Sequence, residues 1–222
     1  MKKILEIIND WQVKGFLFDF DGTLVDTVDA YLQTYVELFR ERFREEIPPE
    51  QIIVHFGKPA YRIIRDATKR NLTDDEIRHL IKRREEILLS RHLDKIKIID
   101  GVFELLEFLR EQNMKLAIVT SSTRSMLTAI AKRFNLLRWF DATVTADDVR
   151  KGKPDPEPFI KATEFLGLSI KEVIAIGDTT YDIISAKGAG IKIIFLERNA
   201  NSNFSFIPEK PELVIKSFRE LL

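Results

Sequence analysis

The apolar runs of this 222-residue chain are continuous rather than alternating, and that constrains the fold more than any other feature. Gly15-Phe16-Leu17-Phe18, Lys115-Leu116-Ala117-Ile118-Val119, Glu172-Val173-Ile174-Ala175-Ile176 and Lys192-Ile193-Ile194-Phe195-Leu196 carry no polar residue on alternate positions. A strand with one wet face alternates, whereas an uninterrupted run needs cover on both faces, as in a parallel sheet flanked by helices. Ala142-Thr143-Val144 is a shorter strand candidate. Between the later runs the apolar spacing becomes helical. Gly101–Asn113 carries Val102, Leu105, Leu106 and Leu109. Thr123–Phe134 carries Leu127, Ile130, Ala131 and Phe134, and Pro156–Leu166 opens with proline in its first turn. This alternation predicts an α/β fold with a doubly wound parallel sheet.

One connection is too long for a crossover. Between the first run and Lys115 lies a segment in which Val28, Tyr31, Leu32, Tyr35, Val36, Phe39 and Phe43 recur at helical spacing. Helical patterns continue through Tyr61–Arg70 and Thr73–His92, the latter starting with the capping signature Thr73-Asp74-Asp75-Glu76. A structureless loop of this length is improbable in a compact protein. Residues 24–97 therefore read as an inserted all-helical domain, with 1–23 and 98–222 forming the α/β core. Ile4, Leu5, Ile7, Ile8 and Trp11 predict a further helix packed on that core.

Thirty-five basic residues balance thirty-five acidic ones, so no global field recruits nucleic acid or an anionic membrane. The chain has no Cys, which excludes disulfides and thiolate metal sites and makes the cytoplasm the simplest compartment. No apolar run approaches the ~20 residues that span a bilayer. The absence of Cys, the few amides and the abundance of Lys, Arg and Glu resemble the composition of a heat-adapted protein.

Polar groups gather where the runs end. Asp19 and Asp21, two apart at the end of the first strand, emerge on the same side. They do so at the carboxyl edge, where open α/β sheets bind ligands, and Gly22 allows a sharp turn behind them. Thr120-Ser121-Ser122 ends the second run, Lys153 lies in Lys151-Gly152-Lys153-Pro154-Asp155-Pro156, and Gly177-Asp178-Thr179-Thr180-Tyr181-Asp182 follows the run through Ile176. Clustered carboxylates repel one another unless a hard cation joins them, and all-oxygen ligands suit Mg²⁺. A carboxylate can attack phosphorus once the phosphoryl charge is neutralised, and a second carboxylate can move the protons.

The set Asp19-Phe20-Asp21-Gly22-Thr23-Leu24-Val25, Thr120-Ser121, Lys153 and Gly177-Asp178-Thr179-Thr180-Tyr181-Asp182 resembles the four motifs of the haloacid dehalogenase superfamily, in order and over nearly the whole chain. The helical insert resembles the small cap of its phosphoglycolate phosphatases and β-phosphoglucomutases. The resemblance implies a sheet ordered fifth, fourth, first, second, third. It implies Asp19 as nucleophile, Asp21 as general acid/base, and Thr120, the Ser121 N–H and Lys153 as phosphate ligands. It places Mg²⁺ on the Asp19 carboxylate, the Asp21 carbonyl and Asp178, with Asp182 beside it or acting through water. An Asp at position 21 disfavours dehalogenation. The implied activity is hydrolysis of a small phosphorylated metabolite by a monomer or homodimer, without nucleic-acid or membrane partners. The alternatives are a phosphomutase of the β-phosphoglucomutase kind and, more remotely, a non-catalytic binding protein on the same fold.

Plainer readings exist for each motif. Asp19 and Asp21 suit a solvated turn, Thr120 or Ser121 a cap for the helix near Thr123, Lys153 a surface lysine, and Asp178 a helix cap. In the insert, His55-Phe56-Gly57-Lys58-Pro59 resembles the loop by which relatives contact substrate, which makes Lys58, His55 and Arg62 candidate specificity residues; the alternative is a solvated loop. Lys82-Arg83-Arg84-Glu85-Glu86 reads as a solvated helix face, and Asn199–Asn203 as a surface loop.

Overall fold

The computed structural model describes residues 2–198, 207 and 209–222; the surface-loop expectation for Asn199–Asn203 lies outside them. The chain divides into two compact units, Met1–Val25 with Ile98–Leu222, and Asp26–Lys97.

The first unit is built on strands β1 (Gly15–Phe18), β4 (Lys115–Val119), β5 (Ala142–Val144), β6 (Val173–Gly177), β7 (Lys192–Leu196) and β8 (Leu213–Ile215). The two-residue strands β2 (Val25–Asp26) and β3 (Lys97–Ile98) pair with each other where the chain leaves and re-enters this unit. The main sheet runs β5-β4-β1-β6-β7-β8, and every pair is parallel. Read from the other edge, the first five strands follow the expected order, and β8 adds a sixth. Its three residues, set between Glu212 and Lys216, are too short a run to stand out in the sequence.

All four β1 residues, and every β4 and β6 residue except Lys115, are buried, as continuous apolar runs require. Leu17, Ala117, Val119 and Ala175 share one packed cluster with Phe159, Ala162 and Leu166 of helix α8 (Glu157–Leu166) and Ile183 and Ala186 of α9 (Thr180–Gly188). Helices α6 (Val102–Glu111) and α7 (Arg124–Arg133) bury Leu105, Leu106, Leu109, Leu127 and Ile130. Burying this much apolar side chain, at roughly 1.5–3 kcal/mol each, holds the sheet ends in place.

Helix α1 (Lys2–Asp10) forms where expected, but its predicted face is only partly used. Ile4 and Ile7 are buried, Ile8 and Trp11 are half-buried, and Leu5 is exposed. The Ile4 N–H donates to the Leu221 carbonyl, tying the first helix to the end of the chain.

The second unit contains α2 (Val28–Phe43), α3 (Pro49–Ile53), α4 (Ala60–Thr68) and α5 (Asp74–Ile87), continued by a π-helical turn over Leu88–His92. Its core holds Tyr35, Leu38, Phe39, Ile52, Ile64, Ile77 and Leu80. Thr73 accepts from the Glu76 N–H, and Glu76 accepts from the Thr73 N–H, completing the capping box read from sequence. Two details differ from the periodicity. Val28, at the first turn of α2, is exposed, whereas Arg84, expected on a solvated face, is only 5% exposed and lies over the rings of Tyr31 and Tyr35. A flat guanidinium can stack on aromatic faces, so helical spacing overrides its charge. Leu24 and Val25 fall outside the helical unit because both N–H groups donate to the Phe20 carbonyl, holding them in the turn after β1.

Candidate active site

β1 lies between β4 and β6 with Phe18 level with Ile118 and Ile176, so the residues following all three strands emerge at one edge. The Asp19 N–H donates to the Ile176 carbonyl and the Thr120 N–H to the Val144 carbonyl, extending the ladder to the site residues themselves. Asp19 is 6% exposed, which removes the reading as a solvated turn.

Lys153 is not a surface lysine. It is 4% exposed, and its Nζ donates to Asp19 Oδ1 at 2.6 Å, Asp182 Oδ1 at 2.6 Å and the Val119 carbonyl at 2.7 Å. Three acceptors use all three ammonium hydrogens. The peptide bond from Lys153 to Pro154 is cis. Asp182 accepts at Oδ2 from the Thr179 N–H (3.0 Å) and hydroxyl (2.7 Å), so both of its oxygens have partners. The N-cap of α9 is Thr179 and that of α7 is Thr123, whose side chain accepts from the Met126 N–H. Asp178, Thr120 and Ser121 are therefore not the caps of these helices.

Asp178 accepts from the buried Thr23 hydroxyl at 3.0 Å. Asp21 accepts at Oδ2 from the Ser122 hydroxyl at 2.7 Å and the Thr120 hydroxyl at 3.3 Å. Ser121 lies between these two residues and is half-buried. Thr23, Thr179 and Ser122 had no assigned role from sequence. Each lies within three residues of a motif carboxylate or of Thr120, and a hydroxyl at such a position was the available signal.

The electrostatics are strained in a consistent direction. Burial pushes the Asp19 carboxyl up to about 7, repulsion from Asp182 and Asp21 adds to this, and Lys153 opposes it. Asp178 is also raised, first by burial, then by Asp19 and Asp182. Burial alone favours a neutral Lys153, but Asp182 and Asp19 overcome it and hold the ammonium charged. Oxygens of Asp19, Asp178 and Asp182 lie within 4.8 Å of one another. Three carboxylates against one buried ammonium leave negative charge uncompensated, and the donors are all oxygens. This set fits a hard divalent cation such as Mg²⁺.

Gly22 shows how tightly the site is closed. Its φ is +92°, and a Cβ there would lie 2.2 Å from Asp178 Oδ2. Gly22→Ala is expected to cost about 1–3 kcal/mol in backbone strain alone and to displace Asp178. Thermal unfolding should show a Tm lower by at least ~2 °C and a smaller stabilisation by added Mg²⁺ than in the wild type. An unchanged Mg²⁺ effect would mean that Asp178 is not needed for the ion.

In the helical unit, the Lys58 ammonium donates to Asp66 Oδ2 at 2.6 Å and lies 3.2 Å from His55 Nδ1. Burial and then Lys58 hold His55 below its ordinary range, and the Lys58 hydrogen bond holds Asp66 low. The Arg62 guanidinium lies 5.7 Å from the Tyr61 ring centroid. No helix among the described residues is long and apolar enough to cross a membrane.

The chain is similar to known proteins along most of its length. The family model described as haloacid dehalogenase-like hydrolase matches residues 16–196. A protein of Halalkalibacterium halodurans named pyrophosphatase PpaX is 30% identical over 211 residues, covering 95% of this chain and 96% of that one. The solved HAD hydrolase, family IA, variant 3 from Entamoeba histolytica superposes with a TM-score of 0.85 at 25% identity, covering 95% of this chain and 96% of that one. CbbY from Rhodobacter sphaeroides, solved with phosphate, has the same fold, with a TM-score of 0.77 at 20% identity and coverage of 94% and 96%.

Proposed function

Since the chain belongs to the haloacid dehalogenase-like hydrolase family and is therefore an enzyme, we propose that it is a magnesium-dependent phosphatase that passes a phosphoryl group first to Asp19 and then to water. The observation that carries this reading is the buried Asp19 carboxylate at a strand end, hydrogen-bonded to Lys153 through one oxygen only, with Asp21 two residues away. Asp19 attacks phosphorus, and the bond from phosphorus to the leaving oxygen breaks. Asp21 gives that oxygen its proton. Water then attacks the aspartyl phosphate, Asp21 takes the water's proton, and phosphate departs with Asp19 restored. The Thr120 hydroxyl and the Ser121 N–H orient the phosphoryl oxygens, and Lys153 shares with one of them the hydrogen it now gives Asp19. Asp19, Asp178 and the Asp21 carbonyl would hold Mg²⁺, with Asp182 beside them. When bound, the ion would neutralise phosphoryl charge.

Pyrophosphate is the first substrate to try, because a relative at 30% identity over almost the full length carries that activity in its name. Small phosphate monoesters such as phosphoglycolate and sugar phosphates follow. The helical unit 26–97 is assigned the role of a cap that selects the leaving group, with Lys58, His55 and Arg62 as its selectivity candidates.

The test is phosphate release from pyrophosphate, phosphoglycolate, sugar phosphates and p-nitrophenyl phosphate. It is expected with Mg²⁺, is abolished by EDTA and returns on adding Mg²⁺. Release that persists in EDTA would overturn the metal assignment. A sugar phosphate isomerised without released phosphate would mark a mutase instead.

A further inference from the structure

In the proposed reaction Asp21 moves protons in both steps, and the loop after β4 reaches its carboxylate. Two hydroxyls converge on one oxygen of its carboxylate, Ser122 at 2.7 Å and Thr120 at 3.3 Å. The Ser122 N–H donates to Thr120 Oγ1 at 3.0 Å, so one backbone group orients the Thr120 hydroxyl while the same residue's side chain holds Asp21. A hydroxyl has a single hydrogen. The one Thr120 gives to Asp21 is the one it must give to a phosphoryl oxygen if it binds substrate. Asp21 then loses its longer, weaker contact and keeps the shorter.

We infer that Ser122 is a positioning residue that holds the Asp21 carboxylate in its reactive orientation while the Thr120 hydroxyl turns to the phosphoryl group. The inference rests on the phosphatase reading for its kinetic consequence but not for its geometry. Ser122 reaches Asp21 from 101 residues along the chain, and the pair is only partly buried, so the contact is an addition to the core rather than part of it. A catalytic group misplaced by about 1 Å loses on the order of 10²-fold in rate.

Two variants test it. Ser122→Ala removes the donor, and Ser122→Thr keeps a hydroxyl. Crystal structures of the wild type and both variants should show the Asp21 carboxylate turned away only in Ser122→Ala. With Mg²⁺ and the best substrate found, kcat should fall about 10- to 100-fold in Ser122→Ala, with KM changed less than about threefold, and Ser122→Thr should recover most of the loss. Melting curves should place both variants close to the wild type. An Asp21 carboxylate that stays in place in Ser122→Ala overturns the inference whether or not the protein releases phosphate. A rise in KM with kcat intact also overturns it, since Ser122 would then be binding substrate. A wild type that releases phosphate from nothing sinks the phosphatase reading alone, and the crystallographic comparison still decides what Ser122 holds.

Discussion

Asp19→Asn is expected to lower phosphate release by about 10⁴-fold or more, because an amide oxygen is too weak a nucleophile to form the acyl phosphate. The fold should survive. Lys153 keeps Asp182 and the Val119 carbonyl as partners, and the substitution removes one carboxylate from a group whose members repel one another. A buried carboxyl pushed up to about 7 gains little from its surroundings as an anion, so replacing it with a neutral group costs little stability. The Tm should therefore stay within about 5 °C of the wild type or rise. Turnover within tenfold of the wild type would remove Asp19 as the nucleophile. Loss of turnover together with loss of the folded state would mean that Asp19 is needed for folding.

Lys153→Met should lose activity and stability together. The methionine matches the lysine in length, but it leaves Asp19 Oδ1, Asp182 Oδ1 and the Val119 carbonyl without their shared donor in a site that is almost fully buried. Removing one member of a buried ion pair typically costs 3–5 kcal/mol, or roughly 6–20 °C in Tm for a chain of this size. The loss of one preorganised charge in the transition state should add about 10²–10³-fold in rate. Lys153→Arg should not rescue it. The three acceptors converge on one nitrogen at 2.6–2.7 Å, and a planar guanidinium spreads its donors too widely for that geometry. Calorimetry and phosphate release on both variants test this. An arginine variant with near-normal stability and turnover would mean that only the charge at this position matters.

The parts of the site that could be read in the sequence are those with a local signal. Asp19 directly follows a continuous apolar run, so its place at the end of a buried strand could be read there, with Asp21 two residues on. The Thr73 box was equally plain, since its partner lies three residues away and a helix brings them together. The sixth strand was not legible, because three residues without a flanking turn signal do not separate from loop. The full set of apolar residues on α1 suggested more burial than occurs, because periodicity shows which face is apolar but not how far a neighbour covers it.

What the sequence determined by itself was the class of fold, the large insertion after the first strand, and the residue types delivered to the carboxyl edge. Only the tertiary structure decided how they are used. It buried Lys153 and spent its three hydrogens, satisfied both Asp182 oxygens, and placed Ser122 against Asp21 across a separation of 101 residues. Patterns of period 2 or 3.6 report on neighbours within one element. Which hydroxyl meets which carboxylate depends on the register between parallel strands, and no short window of sequence contains that.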